Sequence, residues 1–210
     1  MLVPAEYVLA SLLVGGRLHR ERPVMSADRG PWVQTASGGK LFLTDIRPAD
    51  IRLADLAAQL SRCCRFAGAC REHYSVAQHS VHVSQRCAPA DARWGLLHDA
   101  AEAYLGDLAS PIKKLPGMER YNELEDELLW AIAARFDLPV DRDREGSLVL
   151  PPSVREADVR MLFTEKRDLL LPQDWGWARE PYAGNISPWP AWKAEQRFLE
   201  RAHQLGLEEL

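Results

Sequence analysis

Residues Leu96 to Asp107 read LLHDAAEAYLGD. Leu, Ala and Tyr mark a helix that belongs in a core, yet the run also carries His98, Asp99, Glu102 and Asp107. Charged groups are costly in an apolar helix unless something compensates them. Whatever packs against this stretch must therefore bring compensating groups, which constrains the fold more than any other segment does. At about 100° per residue, Asp99 lies about 100° and Glu102 about 40° from His98, so the three project within roughly a quarter-turn. Taken alone, that could be a solvated face.

The rest of the chain reads mostly as helix. The apolar N-terminus predicts a helix ending at Gly15-Gly16, not a signal peptide, because Glu6 interrupts it and no basic segment precedes it. Two short β-like runs flank Gly38-Gly39 within Pro31–Asp45 and predict a hairpin. Ile51, Leu53, Leu56, Ala57 and Leu60 have helical spacing. Ser75 is placed to cap a helix running to about Cys87, and Pro89 to Tyr104 predicts the next, stopped by Gly106. Ser110-Pro111 starts a short helix, and a long amphipathic one follows, ended by Pro139. Asp141 to Ser147 reads as a loop, Ser153 to Leu171 as a helix between prolines, and Pro172 to Pro190 as irregular packing rich in Trp, Pro and Gly. A last helix spans about Trp192 to Leu205. The expected fold is mostly α: one helical bundle with a small N-terminal β-hairpin. It forms one domain over 1–210, with its core at about 50–171 and the N-terminal helix and hairpin and the Trp-rich tail as additions.

Bulk properties exclude some classes. The net charge of −4 gives no global field for nucleic acid. No apolar run reaches the roughly 20 residues needed to span a bilayer, so no membrane partner is expected. The four cysteines, Cys63, Cys64, Cys70 and Cys87, form no Cys-x-x-Cys pair and read as reduced thiols of a cytoplasmic protein.

Two more helices bear on the opening stretch. His79 has Val76 at i−3 and Val83 at i+4, so it sits on an apolar stripe. A lone histidine there is more often a hydrogen-bonded core residue than a ligand. Asp158 has Val154, Met161 and Leu162 as its helical neighbours and needs a cation or several hydrogen bonds. Together His79, His98, Asp99 and Asp158 come from three separate helices. One divalent ion among them would compensate both carboxylates. Mixed imidazole and carboxylate donors suit Mn, Co, Fe, Ni or Zn better than Ca, and such an ion makes water a nucleophile near neutral pH.

The order His79 … His98-Asp99 … Asp158, with intervals of 19 and 59 residues, resembles the signature of the HD-domain phosphohydrolase superfamily. The fuller string HYSVAQHSV…LLHDAAEAYLGDLASPIKKL…VREADVRML resembles the branch containing bacterial 5′-deoxynucleotidases and phage dATP triphosphohydrolases. The likeness covers roughly residues 53–171. It implies an HD-type helical fold, an enzyme acting on a small nucleotide, and one divalent metal (Mn, Co, Zn, Fe, Ni or Mg) held by His79, His98, Asp99 and Asp158. Glu102 matches a catalytic carboxylate, whose alternative is to orient His98 or the water. Asp107 matches a second acidic residue near the sugar, whose alternative is an N-cap. Relatives in this branch are oligomers, so a homo-oligomer is expected.

Phosphate esters need cations beyond the metal. Arg65 and Phe66 match an arginine–aromatic pair that contacts phosphate and stacks on the base, Phe66 being equally a core residue. Lys113 matches a phosphate contact of the triphosphohydrolases. Arg155, three residues before Asp158, either reaches a phosphate chain or forms a surface ion pair. Gln78 and His82 flank His79 as supporting groups. A Lys113/Arg155 cluster would favour a deoxynucleoside triphosphate, dATP-like; the alternatives are a 5′-deoxynucleotidase acting on monophosphates and an inactive metal-binding regulatory protein.

Overall fold

A computed structural model describes residues 29–207; the helix predicted to end at Gly15-Gly16 lies outside the described residues. The architecture is mostly α with two small antiparallel two-strand sheets. Strands β1 (Trp32–Gln34) and β2 (Lys40–Phe42) pair with Val33 opposite Leu41. Gly38 takes φ +84° at the turn, which suits a residue without Cβ. The hairpin tip is fastened to helix α1 (Leu53–Arg62). Buried Asp55 accepts from the Ser37 N–H and hydroxyl at 2.6 and 2.9 Å, and Gln59 accepts from the Ala36 N–H.

Helix α2 (Val76–Ser84) is the axis of the fold. Ser75 caps it as predicted, its hydroxyl accepting from the Gln78 N–H at 3.2 Å. Every residue of α2 except His82 is buried, because α1, α3 (Ala92–Leu97), α7 (Pro152–Leu169) and α8 (Ala191–Gln204) all pack against it. A helix enclosed all round satisfies its polar side chains largely internally, here all but the Ser80 hydroxyl. Ser84 donates to the Ala92 carbonyl at 2.8 Å, while Gln78 donates to the Ser187 carbonyl at 2.9 Å and accepts from the Trp189 N–H at 2.7 Å. Those last two bonds tie the Pro/Trp-rich segment back onto the core.

Gly95 lets α3 approach α2 closely: a Cβ there would stand 2.8 Å from Ser84 Cα and 2.7 Å from Cys87 Sγ. The continuous helix predicted from Pro89 to Tyr104 is broken. After α3 the bonds tighten to i→i−3, from the Ala100 N–H to Leu97 and from the Glu102 N–H to Asp99, before α4 (Glu102–Leu105) resumes. The tight turns hold the very residues, His98 and Asp99, that the opening pattern singles out. Gly106, φ +78°, ends α4 as predicted.

Short α5 (Ser110–Lys113) and long α6 (Glu119–Arg135) follow as the sequence predicts. The stretch read as a loop instead forms a two-residue pairing between β3 (Asp141–Arg142) and β4 (Leu148–Val149). Its turn is set by the Asp143 carboxylate, which accepts from the Glu145 and Ser147 N–H groups at 2.9 Å. Among the described residues no helix is long and apolar enough to cross a membrane.

Candidate metal centre

Four of the sequence-predicted groups converge where α2, the turn after α3, and α7 meet. His79 Nε2 is 3.3 Å from His98 Nε2 and 3.1 Å from Asp158 Oδ1. Asp99 Oδ2 lies 3.5 Å from His79 Nε2 and 3.3 Å from His98 Nε2, and Asp158 Oδ1 is 3.9 Å from His98 Nε2. His79, His98 and Asp158 could hold a metal ion: one donor atom from each lies within 4.8 Å of the others. The donor chemistry fits. Each imidazole uses Nδ1 outward, His98 donating to the Gly95 carbonyl at 3.0 Å and His79 to Glu165 Oε1 at 2.6 Å. Both Nε2 atoms therefore face inward, the arrangement a ligating histidine needs.

Glu165 is the residue the sequence analysis missed. It is wholly buried on α7 and accepts three hydrogen bonds: from His79, from the Tyr74 hydroxyl at 2.9 Å, and from Arg65 Nε at 3.2 Å. Burial alone would raise its pKa, but Arg65 and His79 hold the carboxyl below the usual range. The available signal was its position seven residues after Asp158, two turns along the same face. On His79, burial and Arg65 pull the imidazole down, yet Glu165 and Asp158 overcome them and hold it at about 10. Asp158 and Asp99 are both held below the ordinary carboxylate range, burial being outweighed by the histidines. The cluster thus favours a cation among its donors, whether a proton or a metal.

Above the cluster opens a cavity of about 860 Å³, bordered by Arg65, Asp99, Glu102, Asp107, Lys113 and Asp158 among others. That is a volume typical of small-molecule sites. Glu102 is 6% exposed, and its Oε2 has no hydrogen-bond partner. Burial, then Asp99 and Asp107 nearby, pushes its pKa up to about 10. Asp107 accepts from the Phe66 N–H at 3.0 Å, and burial raises it too. It is therefore tied to the loop after α1 and caps no helix. In that loop Phe66 and Ala67 take φ of 59° and 49°, left-handed values unusual for residues with a Cβ, a strain that tends to persist where structure is held for a site.

The predicted phosphate contacts divide. Arg65 lines the cavity but is also bound to Glu165 and, through Nη1 at 3.3 Å, to Asp99. Lys113 lines it as well, with Nζ 2.6 Å from Glu125 and 3.8 Å from Glu102. Phe66 lines it from the strained loop. Arg155 is exposed and is not among the residues lining the cavity. Its spacing from Asp158 was right for the helix face, but side chains lean toward a helix N-terminus, which carries Arg155 away from the cluster. Gln78 and His82 support the C-terminal segment: Gln78 by the bonds above, and His82 by ring contact with Trp189 at 5.2 Å.

No family model matches the chain. It is 35% identical over 182 residues to the Escherichia coli (strain K12) protein YfdR, whose name describes it as uncharacterized, covering 83% of this chain and 96% of that protein. It is 38% identical over 135 residues to an uncharacterized protein of Rhodobacter capsulatus, covering 60% of this chain and 64% of that one.

Proposed function

The chain belongs to the family of Escherichia coli YfdR, and we propose that it is a metal-dependent phosphohydrolase of the HD-domain type that removes the 5′ phosphate of a deoxynucleoside monophosphate. The relatives' names carry no activity, so the support is the site. The observation that carries the reading is the convergence of two inward-facing Nε2 atoms with two aspartates that line a ligand-sized cavity, at separations of 3.1 to 3.9 Å. His79, His98, Asp99 and Asp158 would hold one divalent ion. When bound, such an ion supplies a Lewis acid for a phosphate oxygen and acidifies water near neutral pH.

The protein's own groups do the rest. Glu165 and the Gly95 carbonyl fix both imidazoles so that their Nε2 atoms stay directed at the ligand position. Arg65 and Lys113 face the cavity and offer charge-assisted hydrogen bonds to phosphate oxygens. Glu102 is buried beside the cluster with one oxygen unpartnered, and burial with Asp99 and Asp107 nearby raises its pKa, which suits proton donation to the departing 5′ oxygen. Asp107, which lines the cavity and is anchored to the Phe66 backbone, would take a sugar hydroxyl.

The monophosphate is preferred over the triphosphate because Arg155 does not join Lys113 in the cavity, and Arg65 and Lys113 each already engage two carboxylates. A single phosphate group needs fewer cations than a triphosphate. The test is metal analysis of purified protein, followed by a screen of deoxynucleoside mono- and triphosphates that separates orthophosphate release from triphosphate release. Orthophosphate from monophosphates, dependent on added divalent metal, is expected. Protein that neither binds metal nor hydrolyses any nucleotide refutes the reading, and intact triphosphate as the main product reassigns the substrate.

A further inference from the structure

The cavity changes character away from the cluster. Its floor is charged, with Asp99, Glu102, Asp107 and Asp158. Its far side is formed by Val159 and Leu162 of α7, by Leu170 just past that helix, and by Trp175 and Trp177 of the coil that follows. Along the axis of α7, Leu162 lies about 6 Å and Leu170 about 18 Å beyond Asp158. One continuous cavity therefore runs from the ligand carboxylate to an aromatic wall. Its natural occupant is charged at one end and planar and apolar at the other.

The wall is braced from behind. The Trp177 ring and the buried Phe163 ring meet in a T, with centroids 4.6 Å apart at 87°. Trp175 lies 5.9 Å from the same ring, and Lys166 Nζ sits 4.5 Å from the Trp175 centroid. Held in this way, Trp177 still exposes 48% of its surface. A large ring held against one neighbour and half exposed beside a cavity is a stacking platform. Phe66 sits elsewhere, with its ring 5.4 Å from the Arg65 guanidinium and its backbone bound to Asp107, at the charged end.

We propose that Trp175 and Trp177 form the base-binding wall of this cavity, stacking the heterocyclic base of the nucleotide whose phosphate lies at the histidine–aspartate cluster. The inference rests on the phosphohydrolase reading and assigns a role to the Trp-rich segment that the likeness over residues 53–171 does not reach. Stacking uses the π-face that every base shares, so this wall selects for the presence of a base more than for its identity.

The experiment compares dAMP with 2-deoxyribose 5-phosphate, which has the same phosphate ester and no base. The ratio of kcat/KM for dAMP to that for deoxyribose 5-phosphate is measured for wild type, Trp175→Ala, Trp177→Ala and the double Trp→Phe variant. Titration with unphosphorylated deoxyadenosine, followed by tryptophan emission, is run on the same proteins with metal and with chelator. The ratio is expected to fall about tenfold to a hundredfold in the alanine variants, through KM, and to recover in the phenylalanine variant. Deoxyadenosine is expected to quench wild-type emission saturably, and Trp177→Ala to lose most of that signal. Equal losses on the two substrates, or an unaltered ratio, overturn the proposal. If wild type hydrolyses neither compound, the phosphohydrolase reading fails by itself. The quench then decides the wall: saturable and lost in Trp177→Ala supports it, and none in wild type overturns it.

Discussion

Replacing Glu165 with Gln tests how the cluster is held. The carboxylate is wholly buried and accepts from His79 Nδ1 at 2.6 Å, Tyr74 Oη at 2.9 Å and Arg65 Nε at 3.2 Å. Gln keeps one acceptor oxygen and turns the other position into a donor that faces donors. It also removes the ion pair between Glu165 and the buried Arg65 guanidinium, which keeps its ion pair with Asp99. Hydrogen bonds to charged groups contribute about 1.5–3 kcal/mol each, and breaking a buried ion pair from one side costs about 3–5 kcal/mol. These effects overlap, so the whole loss should be about 3–5 kcal/mol, equivalent to roughly 10 °C in Tm for a chain of this size. Urea unfolding in excess chelator isolates this term from metal linkage. Metal affinity, measured by competition with a chromogenic chelator, should weaken about 10- to 100-fold because the His79 tautomer is no longer enforced. Glu165→Asp, which keeps the charge on a shorter arm, should recover part of both losses. A Gln variant within about 1 kcal/mol of wild type in chelator, with unaltered metal affinity, would refute the view that this carboxylate organises the site.

Three further outcomes follow from the same geometry. His98→Ala and Asp158→Ala should each lose metal as well as turnover, whereas Glu102→Ala should bind metal stoichiometrically yet lose about 10²–10⁴ in kcat, since a positioned proton donor contributes on that scale; near-normal turnover would remove Glu102 from the chemistry. Gly95→Ala should destabilise by about 1–3 kcal/mol despite alanine's better helix propensity, because its Cβ would meet Ser84 Cα at 2.8 Å, and a neutral or stabilised melt would show that α2 and α3 can part. His82 has its pKa lowered from 6.5 to about 4 by burial and then by Arg86. Its folded value lies below its unfolded one, so its contribution to stability is complete above pH 6.5 and is lost as pH falls from 6.5 to about 4; the wild-type minus His82→Gln stability difference should shift by up to about 3 kcal/mol across that window, and a flat difference would contradict the shift.

The elements that local physics specifies strongly were legible in the sequence. The Ser75 cap, the Gly106 stop, the proline-bounded α7 and the hairpin at Gly38-Gly39 each depend on a few neighbouring residues. The four ligand candidates were legible for a similar reason: each is a polar group on an otherwise apolar helix face, and such groups need a partner. What was not legible depends on the third dimension. The break after Leu97, where the bonds tighten to i→i−3, is hidden by the local pattern of a good helix. Glu165 sits two turns beyond Asp158 in a charged-looking stretch, TEKRD, where nothing local marks it as buried. Arg155 illustrates the opposite error: correct angular spacing, but a side chain that leans toward the exposed end of its helix.

Charge balance links the opening sequence pattern to the proposed chemistry. Asp99, Glu102, Asp107 and Asp158 border the cavity, and Glu165 lies beneath it, against the lining cations Arg65, Lys113 and Lys114. Arg65 is already committed to Glu165 and Asp99, and Lys113 to Glu125 with Glu102 close by. A phosphate dianion entering such a site would find Arg65 and Lys113 already paired with carboxylates, and in a partly buried cavity the charges of Asp99, Asp107 and Asp158 are weakly screened. On the proposed reading, a divalent cation at His79, His98, Asp99 and Asp158 would add positive charge where the phosphate would lie. The same ion would relieve the carboxylates that make LLHDAAEAYLGD an improbable core helix. On that reading, the residues that most need a cation in the fold are the ones that, once given it, would make the cavity receptive to an anion.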